Sequence, residues 1–260
     1  MNELSPMFSI ITVCRNNLDG LIRTRESVIS QSYSNYEWFV IDGASSDGTK
    51  SYLEGLPLDT CNWISEPDMG LYDAMNKGIA RANGTYVLFL NSGDELANSN
   101  VLESVVSYCV QGTMPHFIYG DAYEEQPDGS YAEKKAYTHR MIWYGMFTHH
   151  QAMFFLRSIM PASYSLDLRY AADYGFVAEH LIHSDLVCRI PIIICKFESG
   201  GLSQTGSIMI ANKEQWQVRR EVMGHTTMFC VFVYSLHVFI LTIKKRIPFF
   251  YRFLRSGNVQ

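Results

Sequence analysis

The sequence predicts an α/β protein in which helices flank a mainly parallel, doubly wound sheet, followed by a helical C-terminal extension. Short apolar runs alternate with amphipathic stretches along the first half of the 260 residues, which is typical of this fold class. Hydrophobic residues make up 47% of the chain and aromatic residues 13%, which excludes a disordered chain and allows a large core. We expect one unit over residues 1–205 and an extension over residues 206–260, with no proline-rich or serine-rich linker between them.

Four strands are predicted in the first half, at residues 8–13, 36–41, 62–65 and 85–90. The first is a continuous apolar, β-branched run, as expected for a strand that is buried on both faces. An amphipathic stretch follows each strand, and Asp19 is expected to cap the first helix. Because strands that alternate with helices are joined by right-handed crossovers, these strands are expected to be parallel.

The second half is less regular but still contains predicted elements. Residues 116–125 and 131–137 read as two strands around the turn "QPDGS", and "HHQAMFFLR" reads as a short apolar strand. "AADYGFVAEHLIH" predicts a helix, and "LVCRIPIIICKF" predicts a strand after it. Two adjacent histidines on a strand would point to opposite faces, so a zinc site at His149 and His150 is not expected.

Charge and cysteine content narrow the classes of partner and compartment. A formal net charge of −5 argues against a general nucleic-acid binder, because such binding depends on basic contacts to phosphates. The six cysteines have no C-x-x-C or metal-finger spacing, and the first residues do not resemble a signal peptide. Together these features favour a reducing, cytoplasmic compartment.

The C-terminal extension has an apolar run at residues 228–243, followed by five basic residues and no acid from Lys244 to Arg255. This order favours a segment that lies in the membrane interface. Ordinary packing against the rest of the protein remains an alternative. The run is near the lower length limit for a full span, which makes a span the least favoured of the three.

Polar side chains follow every predicted strand of the first half. They are Cys14, Arg15 and Asn16, then Asp42, then Glu66 and Asp68, and finally Asn91, Ser92 and Asp94. One such group alone is an ordinary turn, but the carboxyl ends of neighbouring parallel strands meet at one edge of the sheet, where ligands bind. The pattern therefore predicts a ligand site.

The chemistry of these side chains indicates a ligand that includes a cation. No G-x-G-x-x-G follows the first strand and no P-loop motif occurs, so the usual dinucleotide and phosphate cradles are absent from the sequence. Several acids around one site would repel an anion unless a cation lay between them. Mg²⁺ or Mn²⁺ can be held by one or two carboxylates, with phosphates and water completing the shell, so Asp94 in "FLNSGDEL" could suffice.

These segments together resemble the family 2, GT-A-fold glycosyltransferases, in particular the bacterial enzymes of exopolysaccharide, colanic acid and O-antigen assembly. The resemblance covers about residues 7–205, and the stretch from Ser65 to Leu96 is its most specific part. The segments that carry it are "FSIITVCRN", "WFVIDGASSDGT", "SEPDMGLYDAMNKGIARANGTYVLFLNSGDEL", "HHQAMFF", "AADYGF" and "GGLS".

The resemblance implies a role for each candidate site residue, and it implies Mg²⁺ or Mn²⁺ as cofactor. Asp94 would bind the metal, Asp173 would be the catalytic base, and Asn91 and Ser92 would lie beside the donor. His150 and Gln151 would lie on the acceptor side. The nucleotide site would be formed by Val13, Cys14, Arg15, Asn16, Asp42, which would contact the base, and Asp68, which would lie beside the nucleoside.

The implied reaction moves a sugar, with inversion, from a nucleoside-diphosphate-sugar to a hydroxyl of a glycan acceptor, expected to be lipid-linked. The enzyme would then be peripheral at the cytoplasmic face of the plasma membrane, without a nucleic-acid partner. A sugar-phosphate nucleotidyltransferase is an alternative, although "CRNN" is not the glycine-rich loop expected after its first strand. A catalytically silent partner protein is another, although it would tolerate the loss of Asp94 or Asp173 and both are present.

Overall fold

The computed structural model of the chain describes residues 6–109, 114–199 and 208–246. Nine strands in these ranges form one sheet. The strands are β1 (Phe8–Cys14), β2 (Tyr36–Asp42), β3 (Asn62–Ser65), β4 (Tyr86–Phe89), β5 (Glu95–Leu96), β6 (Phe117–Glu125), β7 (Tyr131–Lys134), β8 (Met153–Leu156) and β9 (Val187–Phe197). The helices are α1 (Leu18–Ile29), α2 (Thr49–Glu54), α3 (Leu71–Ile79), α4 (Val101–Cys109), α5 (Ala172–Ile182), α6 (Ile208–Glu221) and α7 (Thr227–Arg246). Short 3₁₀ segments lie at His139–Trp143, His150–Ala152 and Arg157–Ile159.

The strand order in the sheet is β3-β2-β1-β4-β8-β6-β9-β5, with β7 paired to β6. The first four strands are parallel, which confirms the predicted first half. The second half is mixed, because β8 runs antiparallel to both β4 and β6, whereas β9 is parallel to β6. The chain passes from β6 to β8 through β7 and 3₁₀ turns, and antiparallel neighbours need no crossover helix.

Alternate residues of β1 supply the two halves of the core. Ile11 packs on the face covered by α3 and α5, with Phe89 beside it. Ile10 packs on the opposite face with Trp38, below α1 and α4. Both strand faces are buried because successive side chains of a strand point to opposite sides of the sheet. The polar Thr12 is tolerated in this core because its Oγ1 accepts a hydrogen bond from Trp38 Nε1 at 2.9 Å.

Some local predictions were wrong. Asn17, not Asp19, caps α1: Asn17 Oδ1 accepts the Gly20 N–H at 3.1 Å, and Asp19 lies in the first turn, where a carboxylate favours the helix dipole. His150 begins a 3₁₀ turn rather than extending the strand, and β8 starts only at Met153. The strand predicted over residues 131–137 ends at residue 134.

The C-terminal helices α6 and α7 pack on the domain through one side. Cys230 and Val233 of α7 are buried, whereas Met228, Phe232 and Phe239 are exposed. Within the ranges that the structure describes, no helix combines the length and the apolar character needed to cross a bilayer. The boundary at residue 205, the "GGLS" motif and the basic residues after 246 lie outside these ranges, so the predictions made for them stay predictions.

Candidate active site

The turn after β4 is tied to its neighbours by backbone and hydroxyl hydrogen bonds. The Ser92 N–H donates to the Val13 carbonyl at 3.0 Å, which holds the turn at the end of β1. Thr24 Oγ1 of α1 accepts the Gly93 N–H at 3.0 Å and donates to the Asp94 carbonyl at 2.7 Å. Gly93 has a φ of 102°, which glycine adopts without strain. The sequence "NSGD" therefore folds into a fixed turn that presents Asp94.

Asp94 is buried beside a second carboxylate that the sequence did not indicate. Its side chain is 3% exposed, and its Oδ1 accepts the Glu198 N–H at 2.9 Å. Burial raises the pKa of Asp94 to about 8, and the negative charge of Glu198 adds to this rise. Glu198 follows β9 and is 104 residues from Asp94 in the chain, so spacing could not pair them.

Glu198 is held against the turn after β4. Its carboxylate accepts hydrogen bonds from the Arg23 guanidinium and, at 3.4 Å, from Asn17 Nδ2. A Cβ atom at Gly93 would meet Glu198 Oε2, so a side chain here would displace the Glu198 carboxylate, and the φ of 102° also favours glycine. The turn and the end of β9 thus bring two carboxylates to one place.

Oxygen atoms in this region fit a hard divalent cation. Asn91 Oδ1 is buried and has no hydrogen-bond partner among the described residues, which is costly for a polar atom. Asn91, Asp94 and Glu198 all line the same cleft. Carboxylate and amide oxygens suit Mg²⁺ or Mn²⁺, with ligand phosphates and water filling other positions. Among the described residues no group of three His, Cys, Asp or Glu could hold a metal alone, so a bound ligand would have to complete the shell.

The cleft has a volume of about 510 Å³ and joins the ends of β4 and β9 to the first turn of α5. It unites six of the residues predicted from the sequence with others that the sequence did not indicate. The six predicted residues are Asn91, Ser92, Asp94, His150, Gln151 and Asp173. The others include Lys134, His149, Arg169, Tyr170, Phe197 and Glu198.

Asp173 lies in the first turn of α5. Its Oδ1 accepts the Tyr174 N–H at 2.8 Å and the Tyr72 hydroxyl at 3.4 Å. Burial raises the pKa of Asp173 to about 6, and the negative charge of Glu214 contributes in the same direction. A carboxylate with this pKa is mostly ionised at neutral pH and accepts a proton more readily than an ordinary aspartate.

The two adjacent histidines have different surroundings. His150 Nε2 lies 3.0 Å from the Tyr164 hydroxyl, and burial lowers the pKa of His150 to about 3, so its ring is neutral. The His149 ring stacks on Phe197 with a centroid distance of 4.1 Å, and its Nε2 lies 3.1 Å from Lys134 Nζ. The two rings therefore have different neighbours, and the residues lie in a turn and not on a strand as predicted; the expectation that they do not bind zinc stays a prediction.

Asp42 ends β2 and Asp68 follows β3, and neither residue lines the cleft. Asp42 is fully buried, and its carboxylate accepts hydrogen bonds from Ser45 and, at 2.6 Å, from Ser65 Oγ. Asp68 forms an ion pair with Arg15 at 3.7 Å. A Cβ atom on Gly43 would lie 2.1 Å from Asp68 Oδ2, so this glycine lets the carboxylate approach the strand end.

The other residues after β1 shape the backbone. Asn16 has a φ of 51°, and its Oδ1 accepts the Ser46 N–H at 2.8 Å. Cys14 is buried, its Sγ lies 3.7 Å from the Asn17 carbonyl, and burial raises the pKa of its thiol. Cys14 is therefore a neutral packing group.

Comparison with known proteins places this fold and cleft in a family. The description of glycosyl transferase family 2 matches residues 9–161. The chain belongs to this family. The match includes Asp94 and ends before Asp173 and Glu198.

Relatives of this family 2 member are named as glycosyltransferases. It is 34% identical over 212 residues to an uncharacterized glycosyltransferase of Mycobacterium tuberculosis, covering 76% of this chain and 77% of the relative. It is 29% identical over 220 residues to a PGL/p-HBAD biosynthesis glycosyltransferase of Mycobacterium bovis, covering 77% of this chain and 80% of the relative. The prediction of a glycosyltransferase is therefore confirmed at this level, and the nucleotidyltransferase alternative has no support.

Solved structures confirm the GT-A fold. Staphylococcus aureus TarS 1–349 in complex with UDP-GlcNAc superposes with a TM-score of 0.66 at 15% identity, covering 82% of this chain and 64% of that one. The mannosyltransferase PcManGT from Pyrobaculum calidifontis, in complex with GDP-Man and Mn²⁺, superposes with a TM-score of 0.63 at 14% identity, covering 95% and 73%. At these identities the likeness concerns the fold alone.

Proposed function

We propose that this family 2 glycosyltransferase moves a sugar, with inversion, from a nucleoside-diphosphate-sugar to a hydroxyl of a glycan acceptor, in a reaction that needs Mg²⁺ or Mn²⁺. The observation that carries the proposal is that Asp173, with its raised pKa, shares one cleft with Asp94, Glu198 and the unpartnered oxygen of Asn91. One end of such a cleft suits a diphosphate with a cation, and the other supplies a base.

Asp173 is proposed to take the proton from the acceptor hydroxyl as that oxygen attacks the anomeric carbon, so that inversion follows from a single displacement. Its place at the start of α5 fixes the carboxylate, while Tyr72 and Tyr174 hold only one of its oxygens. His150 is neutral, and with Gln151 it would contact the acceptor without competing as a base. Holding donor and acceptor together in the cleft supplies a further part of the rate.

Asp94, assisted by Asn91 and Glu198, would hold the metal ion. A divalent cation supplies charge neutralisation to the leaving nucleoside diphosphate. In support, a structural neighbour is described in complex with GDP-Man and Mn²⁺, and another with UDP-GlcNAc.

The nucleoside is proposed to lie at the ends of the first three strands. The ion pair of Asp68 and Arg15 would form part of this surface. Asp42 would act indirectly, because it holds the loop after β2 through its hydrogen bond with Ser45. The backbone from Val13 to Asn16, which includes Cys14, would line the nucleotide.

The catalytic role of Asp173 is tested by Asp173→Asn, with Asp167→Asn as a matched control on an exposed residue of the preceding loop. The donor is first identified by thermal stabilisation of the protein with a panel of nucleotide-sugars and Mn²⁺. We expect Asp173→Asn to lower the transfer rate about 100-fold to 10,000-fold, because it removes the base, while donor binding stays unchanged. Near-normal turnover in Asp173→Asn would refute the base, and full rates in excess chelator would refute the metal requirement.

The acceptor is proposed to be lipid-linked, in the assembly of an exopolysaccharide, colanic acid or O antigen, at the cytoplasmic face of the plasma membrane. A relative is named for PGL/p-HBAD biosynthesis, which supports a biosynthetic acceptor. The apolar exposed side of α7, with Phe232 and Phe239, suits the membrane interface.

Membrane contact is tested with vesicles of phosphatidylglycerol. We expect Phe232→Glu combined with Phe239→Glu to reduce sedimentation with the vesicles about tenfold or more, because the membrane would lose contact with two aromatic rings. Leu58→Glu, on a fully exposed loop residue away from α7, should leave sedimentation unchanged. Equal sedimentation of all three proteins would contradict membrane contact through α7.

A further inference from the structure

A buried carboxylate outside the cleft is bonded to the backbone that leads into α5. Glu214 of α6 is 8% exposed. Its Oε1 accepts the Arg169 N–H at 3.0 Å, and its Oε2 accepts the N–H groups of Tyr170 at 2.7 Å and Ala171 at 3.0 Å. The last of these three residues, Ala171, lies two positions before Asp173. One side chain of α6 therefore fixes the segment that delivers Asp173 to the cleft.

The rest of α6 packs closely on the same turn. The two helices lie close together at Gly175, where an added Cβ atom would be in van der Waals contact with Val218 Cγ2 at 3.4 Å. Arg219 is 3% exposed and lies over the Tyr174 ring, with its guanidinium carbon 5.4 Å from the ring centroid. Arg219 Nε also donates to the Trp143 carbonyl at 2.8 Å. The helix α6 thus contacts residues both before and after Asp173.

The arrangement is specific to an ionised carboxylate. Burial of a charge is costly unless hydrogen bonds compensate it, and three N–H groups that precede a helix provide that compensation. An amide at position 214 could accept through one oxygen only, so it could not replace all three hydrogen bonds of the carboxylate. The negative charge of Glu214 also acts on Asp173, whose carboxylate accepts a hydrogen bond from the Tyr72 hydroxyl and shares the cleft with Arg169.

We propose that Glu214 is a positioning residue for Asp173: it fixes the backbone of residues 169–171 and so sets the place of the Asp173 carboxylate at the cleft, with its own negative charge nearby. This inference rests on the proposed role of Asp173 as base. It makes α6 part of the active-site structure, although the helix lies beyond the residues matched by the family.

The test compares Glu214→Gln with Glu221→Gln in the full chain, because Glu221 is an exposed acid of the same helix that contacts Gln217 and not α5. Hydrogen exchange is measured at the amides of residues 169–171. We expect exchange to be at least about tenfold faster in Glu214→Gln, since hydrogen bonds to a charged group are lost, and unchanged in Glu221→Gln. The Asp173 carboxyl is then titrated by ¹³C NMR in aspartate-labelled protein, with its signal assigned through Asp173→Asn.

We expect the apparent pKa of Asp173 to be measurably lower in Glu214→Gln, because a like charge is removed. A purely structural role would lower the stability of the fold without moving this titration, and an unchanged titration or wild-type protection of residues 169–171 overturns the proposal. Glu214→Asp keeps the charge but shortens the side chain, so it should speed exchange while the pKa stays high; it is the second variant if Glu214→Gln does not fold. Normal turnover in Asp173→Asn would instead refute the base itself, which separates failure of the proposed function from failure at Glu214.

Discussion

Replacing Asp94 with asparagine should make the metal-free protein more stable at neutral and alkaline pH. In the fold the pKa of Asp94 is raised from 3.8 to about 8, because the carboxyl is buried next to Glu198. The folded chain therefore keeps this proton between about pH 4 and pH 8, whereas the unfolded chain releases it. Because the folded state binds more protons, its stability falls as pH rises through that window. Asparagine cannot ionise, and its Oδ1 can still accept the Glu198 N–H.

The size of the effect follows from the difference of about four pKa units. Each unit corresponds to about 1.4 kcal/mol, so ionisation of Asp94 costs the folded state on the order of 5 kcal/mol at pH 8. The difference in unfolding free energy between Asp94→Asn and the wild type should be near zero at pH 4 and grow to this order at pH 8. Even half of this difference would be a large fraction of the unfolding free energy of a typical domain.

The measurement is urea unfolding at several pH values between 4 and 8 in excess chelator, followed by circular dichroism. Asp59→Asn, on an exposed residue, is the control and should follow the wild type at every pH. A variant Asp94→Asn that is equally or less stable than the wild type at pH 8 would refute the reasoning. A cation must displace the proton of Asp94, so Mn²⁺ affinity of the wild type should fall about tenfold per pH unit below pH 8. The variant should show no such dependence.

Two further substitutions probe the turn after β4 and the core. Gly93→Ala should cost about 2 kcal/mol and abolish Mn²⁺ binding, because its Cβ would lie 1.9 Å from Glu198 Oε2 at a φ of 102°; Gly145→Ala, with no atom within 4 Å, should change neither. Calorimetry with Mn²⁺ decides this, and normal binding in Gly93→Ala would count against the role of the turn. His180 donates through Nε2 to the His116 carbonyl at 2.8 Å, and burial lowers its pKa to about 4. The unfolded chain binds that proton first, so stability is lost as pH falls below about 6.5, and the wild type should lose about 2 kcal/mol more than His180→Gln between pH 7 and pH 5. If urea unfolding gave the same loss of unfolding free energy for the wild type and His180→Gln, His180 would not titrate as described.

The first half of the fold could be predicted because its physics is local. β1 and β2 are continuous apolar runs that are buried on both faces, and such runs identify parallel strands without any knowledge of their neighbours. The polar residues that follow the parallel strands β1 to β4 meet at one edge of the sheet because of the topology alone. Asn91 and Asp94, which follow β4, could therefore be assigned to the predicted site. Asn17 and Asp19 are both good capping residues two positions apart, so the sequence could not decide between them.

The rest of the site depends on contacts that no spacing rule reaches. Glu198 follows β9, the last strand in the chain. The pairing of β9 with β6 and β5 places Glu198 beside Asp94. Glu214 reads as one of several acids on a helix, and only the packing of α6 on α5 buries it. The turn at His149 and His150 was predicted as strand because "HHQAMFFLR" is apolar, yet an apolar run cannot distinguish a strand from a buried 3₁₀ turn.

The turn after β4 contains one carboxylate where two could be expected, and the fold explains why one is enough there. A second acid two residues before Asp94, in place of Ser92, would lie in the same turn and would raise the cost of ionisation further. Glu198 instead approaches from β9, where it forms an ion pair with Arg23 and accepts a hydrogen bond from Asn17 Nδ2, so its carboxylate has partners when no cation is bound. Asp94 keeps its proton at neutral pH when no cation is bound, and a cation would replace that proton. We therefore expect tight cation binding only when a ligand with its own oxygens enters the cleft, which would couple metal binding to donor binding.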